Sequence, residues 1–290
     1  MATDRGPSPT SLPAETRVGR VVLRVADLDR SRDFYTAALG FQPVAGEPGR
    51  AELGTAGQAL LGLREVPGVP PKPEWATGLY HFAVLLPTRA DLGRILRHLI
   101  ESGIPPQGAS DHLVSEALYL ADPDGNGIEI YRDRPRQAWP RVADTIQMAT
   151  DPLDAEGVLA EAERAGLRFS GLPDGSAIGH IHLQVGEIPS AEEFYVRRLG
   201  FEVMAAMHSA LFVSAGGYHH HIGLNTWTSR GQGPVSGTAG LEEFSVVLPD
   251  PAAREAVVER LSAAGLAVDR SDRDPVVADP WQNRIRLVVG

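Results

Sequence analysis

The chain has 290 residues, 43% of them hydrophobic, enough for one large domain or two of ordinary size around a substantial core. A formal charge of -10 with no Lys/Arg-rich block argues against a nucleic-acid partner, because phosphate binding needs clustered positive charge. With no cysteine there are no disulfides or thiolate ligands, so a metal would have to sit on His, Asp or Glu, a set suited to Fe(II), Mn, Zn or Mg.

Residues 1–18 are rich in Pro, Ser and Thr and poor in apolar side chains, which predicts a disordered N-terminal tail. No basic, apolar and small-residue targeting pattern opens the chain, and no apolar run is long enough to span a bilayer. The expectation is a cytoplasmic protein whose partner is a small molecule, with no membrane or nucleic-acid contact.

Next comes LRVADLDRSRDFYTAALGF, Leu23 to Phe41, which returns 160 residues later as LQVGEIPSAEEFYVRRLGF, Leu183 to Phe201. Each copy reads as an alternating strand, then an amphipathic helix closed by a glycine, Gly40 or Gly200, then further strands. A second pattern opens at LYHFAVLLP (Leu79 to Pro87) and at LEEFSVVLP (Leu241 to Pro249). Each runs through a helix ending at Gly103 or Gly265, and each closes on YLADPDGNGIEIY or VVADPWQNRIRLVV. The shared Ala-Asp-Pro and Asn mark the same tight turn before a last strand.

The chain therefore reads as an α+β protein of four β-α-β-β-β modules. Residues 19–135 hold the first pair and 178–290 the second. Between them, 136–177 form a linker with a short helix capped by Thr150 or Asp151. Within the second pair, GGYHHHIGLN reads as strand, so alternation would turn His219 and His221 to one face and His220 to the other. Three adjacent histidines cannot then share one metal, and a single one facing a pocket suits proton transfer near neutral pH.

Four modules with LxV…FY…LGF and ADPDGNGIEIY resemble the vicinal oxygen chelate (glyoxalase/bleomycin resistance/dioxygenase) superfamily, and within it the extradiol dioxygenases of the catechol 2,3-dioxygenase type. The resemblance covers nearly the whole chain after the tail. It implies paired modules curled into two half-open β-barrels, and a metal held by two histidines and one carboxylate from the first strands of both modules and the last strand of one. Such a triad leaves open positions for catecholate and dioxygen. First strands offer Arg20, His81, His180 and Glu243; last strands offer Glu129 and Arg286.

Pairing the modules in chain order completes no triad. Pairing module two with module three gives His81, Glu129 and His180, and leaves Arg20, Glu243 and Arg286 as a charge cluster in the other barrel. The permuted pairing is therefore expected, either within one chain or across a homodimer interface. His182, on the same face as His180, competes as a ligand or supports one by hydrogen bonding. The same resemblance assigns Tyr119 to bound substrate, adds His112 as a further active-site histidine, and makes His220 the acid-base catalyst. Trp75, Trp139, Trp227 and Trp281 read as packing or pocket walls.

The activity implied is ring opening of a catechol-type aromatic with O2 at Fe(II), a role in aromatic catabolism; Mn(II) is compatible with the same ligands. The rival readings are a glyoxalase-like metalloenzyme, whose site commonly carries a second glutamate, and a metal-free small-molecule binding protein on the same fold.

Overall fold

The computed structural model describes residues 11–143 and 145–290. Module one consists of β1 (Arg17–Val25), α1 (Leu28–Leu39), β2 (Gln42–Glu47), β3 (Arg50–Thr55) and β4 (Gln58–Glu65). Module two has β5 (Gly78–Leu86), α2 (Arg89–Glu101), β6 (Gly108–Asp111), β7 (Ser115–Ala121) and β8 (Gly127–Asp133). The linker carries β9 (Arg141–Val142), β10 (Thr145–Ile146), β11 (Asp151–Pro152) and α3 (Ala155–Arg164). Module three is β12 (Ala177–Gln184), α4 (Ile188–Glu192), β13 (Glu202–Met207), β14 (Ala210–Ser214) and β15 (Ile222–Asn225). Module four is β16 (Gly240–Leu248), α5 (Pro251–Ala263), β17 (Val268–Asp269), β18 (Val276–Ala278) and β19 (Arg284–Val289).

Local chemistry explains the elements. Asp27 accepts from the Arg30 N–H to start α1, and Gly40 ends it in the left-handed region at φ 76°. A side chain at Gly40 would also collide with the backbone of Gly171 and Leu172. In module three the helix behaves differently: α4 gives way to a π-helical turn over Glu193–Arg198, still ending at Gly200. The linker helix starts later than expected, at Ala155 with Asp154 as its cap, because Asp151–Pro152 pairs with β6 as a strand. Residues 1–10 of the expected tail lie outside the described residues. From residue 11 onward the chain is held: Leu12 is buried and donates its N–H to Gly200 O at 2.9 Å, Thr16 is buried, and Arg17 begins β1. One apolar anchor is enough to pin a segment whose composition is otherwise polar.

Two large sheets result, ordered β17-β18-β19-β16-β1-β4-β3-β2 and β11-β6-β7-β8-β5-β12-β15-β14-β13. Each sheet takes one module from each half of the chain, module one with four and module two with three, which is the permuted pairing and is made within one chain. The seams are antiparallel, β1 against β16 and β5 against β12, whereas β1–β4, β5–β8, β12–β15 and β16–β19 run parallel inside the modules. β1 also packs against β12, so the two half-open barrels share a core that includes Tyr35, Phe41, Phe82, Phe201 and Phe244. No helix among the described residues is long and apolar enough to cross a membrane.

The two sequence repeats meet in space. Tyr35 of the first FY pair donates to Asp122 Oδ2 at 2.9 Å, and Tyr195 of the second donates to Asp279 Oδ2 at 2.8 Å. Asp122 Oδ1 also accepts from the backbone of Asp124 and Asn126, and Asp279 Oδ1 from Trp281 and Asn283. Each aspartate thus ties its turn to the helix of the preceding module. Chain-consecutive modules are stitched through these buried bonds while the sheets pair other modules. Replacing Tyr35 or Tyr195 by Phe leaves a buried carboxylate one donor short and should cost about 1–3 kcal/mol each. Urea unfolding of the two variants measures this; a loss near zero in both would mean that the stitch carries no stability.

Candidate metal centre and cavity

Cross-strand register builds the site. Ala83 on β5 lies beside Glu129 of β8 on one side and His180 of β12 on the other, and Tyr119 of β7 lies beside Glu129. Directly paired residues project to the same side of a sheet, and His81, two residues before Ala83, projects there too. A methyl group at the centre of this row leaves room for the longer side chains around it. His81, Glu129 and His180 are all buried, and one ligand atom from each lies within 4.8 Å of the others.

The Glu129 Oε2 oxygen is the hub. His180 Nε2 is hydrogen-bonded to it at 3.1 Å. His81 Nε2 stands at the same 3.1 Å but is not aligned for a hydrogen bond, and so has no such partner among the described residues. Burial pushes the Glu129 carboxyl up, but the two imidazoles, His180 foremost, outweigh it and hold the group well below the usual carboxylate range. Burial also lowers His180, Glu129 opposing the shift in part. An anionic carboxylate, a neutral imidazole and an orphaned ring nitrogen on one buried side fit a divalent cation, since ligands must offer lone pairs.

His182 pairs with His81 across β12 and β5 but stays out of this group. Its Nε2 accepts from Asn225 Nδ2 at 3.0 Å, and burial followed by the neighbouring His81 and His180 keeps it neutral. Gly223 makes room for the ring: a Cβ there would come within 2.9 Å of His182 Cγ.

Beside the group opens a cavity of about 440 Å³. His112, Tyr119 and His220 all line it, so the six predicted site residues converge. His112 Nδ1–H donates to Ala149 O at 2.7 Å, which leaves Nε2 to accept from the Tyr119 hydroxyl at 2.6 Å. Burial, and then the charge of Glu129, raises the Tyr119 phenol, so it stays protonated beside the cavity that the residue lines.

The histidine run departs from the expected strand. Gly216 and Gly217 take φ of 60° and 66°, β15 begins only at Ile222, and the three histidines lie on a bend. His219 and His220 both line the cavity, while His221 turns away so that its Nδ1 meets Ser214 Oγ at 2.9 Å and accepts the Ala215 N–H at 3.2 Å. The Gly-Gly pair was the signal in the sequence that alternation would fail. Nor is His220 poised near neutrality: burial, then His180 and the other nearby imidazoles, lowers it well below the usual histidine value, so the ring is neutral.

Sequence reasoning missed much of the cavity wall: Tyr80, Met148, Met207 and Phe212 line it, and Met148, Ala149 and Thr150 come from the segment read as a linker, with no motif to mark any of them. Trp227, read as packing or pocket wall, lines the cavity too. In the other barrel the matching positions are spent on ion pairs: Glu243 holds Arg286 at 2.8 and 3.0 Å, and Arg20 turns to Glu52.

The family model described as the Glyoxalase/Bleomycin resistance protein/Dioxygenase superfamily matches residues 17–130 and 177–287. A Bacillus subtilis (strain 168) protein named catechol-2,3-dioxygenase is 46% identical over 277 residues, 93% of this chain and 96% of that one. Biphenyl-2,3-diol 1,2-dioxygenase 3 of Rhodococcus globerulus is 31% identical over 54% of this chain and 86% of its own. Among solved structures, glyoxalase I from Zea mays superposes with a TM-score of 0.53 at 17% identity, covering 95% of this chain and 92% of that one, a likeness of fold.

If the buried group holds a cation, Fe(II) or Mn(II) added anaerobically should raise the melting temperature of the wild type, by about 2.7 kcal/mol of stability at a hundredfold excess over Kd. Glu129→Gln should abolish the rise. An equal rise in the variant would place the cation elsewhere.

Proposed function

The chain belongs to the glyoxalase/bleomycin resistance protein/dioxygenase superfamily, and from that premise we propose that it is an extradiol dioxygenase opening a catechol-type ring with O2 at an Fe(II) centre held by His81, Glu129 and His180. The observation that carries this reading is the buried two-histidine, one-carboxylate group with an unpartnered His81 Nε2, set against the cavity. Identity of 46% to the Bacillus subtilis protein named catechol-2,3-dioxygenase supports it. Iron bound there would supply adjacent open positions at which a catecholate and dioxygen can meet, the ordering of both reactants being the main gain.

The chain's own groups do the rest. Phe212, Trp227, Tyr80 and Met207 give the ring apolar and aromatic walls, which take it out of water and restrict its orientation. Tyr119, donating to His112, keeps lone pairs with which to accept a hydrogen bond from a substrate oxygen. His220 accepts a proton from the second hydroxyl and later returns it; a neutral ring is the form such a base must start from. Glyoxalase-like sites commonly carry a second glutamate, whereas Glu129 is the one carboxylate lining the cavity among the described residues and is already committed as a ligand in this reading. Mn(II) accepts the same ligand types, so bound metal and turnover must be read together.

Oxygen uptake on a panel of catechols, by protein loaded anaerobically with Fe(II), tests the reading. The wild type should consume O2 and form the ring-opened product, and His220→Ala should lower kcat by about 100- to 10,000-fold while iron stays bound. Iron binding without turnover of any catechol would leave the site and remove the chemistry. Failure to bind iron would turn the reading towards a metal-free binding protein.

A further inference from the structure

Glu129, Tyr131 and Asp133 alternate along β8 and so share a face. Glu129 is in the metal group; Asp133, four residues on, meets the histidine run. Its Oδ1 lies 2.9 Å from His219 Nε2, and His219 Nδ1 lies 2.9 Å from His220 Nδ1. Its other oxygen, Oδ2, accepts from the Tyr218 hydroxyl at 2.9 Å, and the hydroxyls of Tyr218 and Tyr131 are 2.7 Å apart. Both carboxylate oxygens are therefore engaged, and the indole of Trp139 packs edge-on against the His219 ring at 5.4 Å. His219 is almost entirely buried, at 1% exposure, and held at both ring nitrogens.

Resting on the reading of His220 as the base, we propose that Asp133 and His219 are positioning residues that fix the orientation and tautomer of His220. A carboxylate only accepts, so His219 Nε2 carries the proton that faces Asp133, and where that is the only N–H of the ring its Nδ1 accepts. His220 Nδ1 then has to donate. Its lone pair is left on Nε2, on a ring that lines the cavity and is tied among the described residues through Nδ1. The tripeptide thus divides its work: His221 braces the bend, His219 relays the polarity of Asp133, and His220 presents a bare nitrogen to the substrate. The Gly216–Gly217 bend makes this geometry, since on a regular strand His219 and His220 would face opposite sides.

Two measurements on the full chain test this. In metal-free protein labelled with 15N in histidine, the His220 signals, identified by their loss in His220→Gln, should report a protonated Nδ1 and a bare Nε2, and Asp133→Asn should shift that balance. A protonated Nε2 in the wild type, or no change in Asp133→Asn, overturns the proposal whatever the activity. In the iron-loaded enzyme, Asp133→Asn and His219→Asn should lower kcat on catechol about 10- to 100-fold with KM and iron content unchanged. On 4-nitrocatechol, whose acidic hydroxyl needs no base, the same variants should match the wild type. An equal loss on both substrates, or a loss that follows iron content, assigns the pair a merely structural role and overturns the proposal. A wild type inactive on every catechol while its tautomer is as stated would overturn the dioxygenase reading instead.

Discussion

Ala83 sits where three strands of two modules meet, and its small side chain lets Glu129 and His180 project past it from both neighbours. The antiparallel seam between β5 and β12 sets this row, and the rest of the site follows from it. A slip of one residue along the seam would turn His180 to the opposite face of the sheet. Because the opposite face of these strands, with Phe82, Val84, Ile130 and Ile181, packs into the main core, the register is strongly specified. The carboxylate is then buried beside two imidazoles, an arrangement costly in a low-dielectric interior unless a cation or close hydrogen bonding offsets it.

The second barrel makes the same point from the opposite side. Its strands carry the same register, with Arg286 beside Ser245 as Glu129 is beside Ala83, yet its side chains are Arg20, Glu243 and Arg286. Arg286 and Glu243 form a two-point ion pair, and Arg20 finds its carboxylate on Glu52 of β3. One backbone geometry thus supports either a set of lone-pair donors or a self-neutralising cluster. Function on this fold resides in the side chains and not in the architecture.

Much of this was legible in the sequence because repeats report on themselves. The FY pairs, the Ala-Asp-Pro turns and the glycine stops recur at fixed spacing, so four modules could be counted, and the chemistry of His81, Glu129 and His180 then selected the permuted pairing. What escaped notice is what has no period. Met148 and Ala149 close the cavity from a segment that looks like a linker, and Asp154 caps its helix only because Asp151–Pro152 is drawn into the sheet. Alternation misread His219 to His221, since two left-handed glycines break the strand before them. Leu12 anchors residues that composition alone would leave free.

The central claim is that one cation is held by residues of modules two and three of a single chain. Crystals grown anaerobically with Fe(II), measured at the iron absorption edge, test it most directly. The account predicts one anomalous peak per chain, bounded by His81, Glu129 and His180 of that same chain. A peak elsewhere, or none between those three side chains, would contradict it.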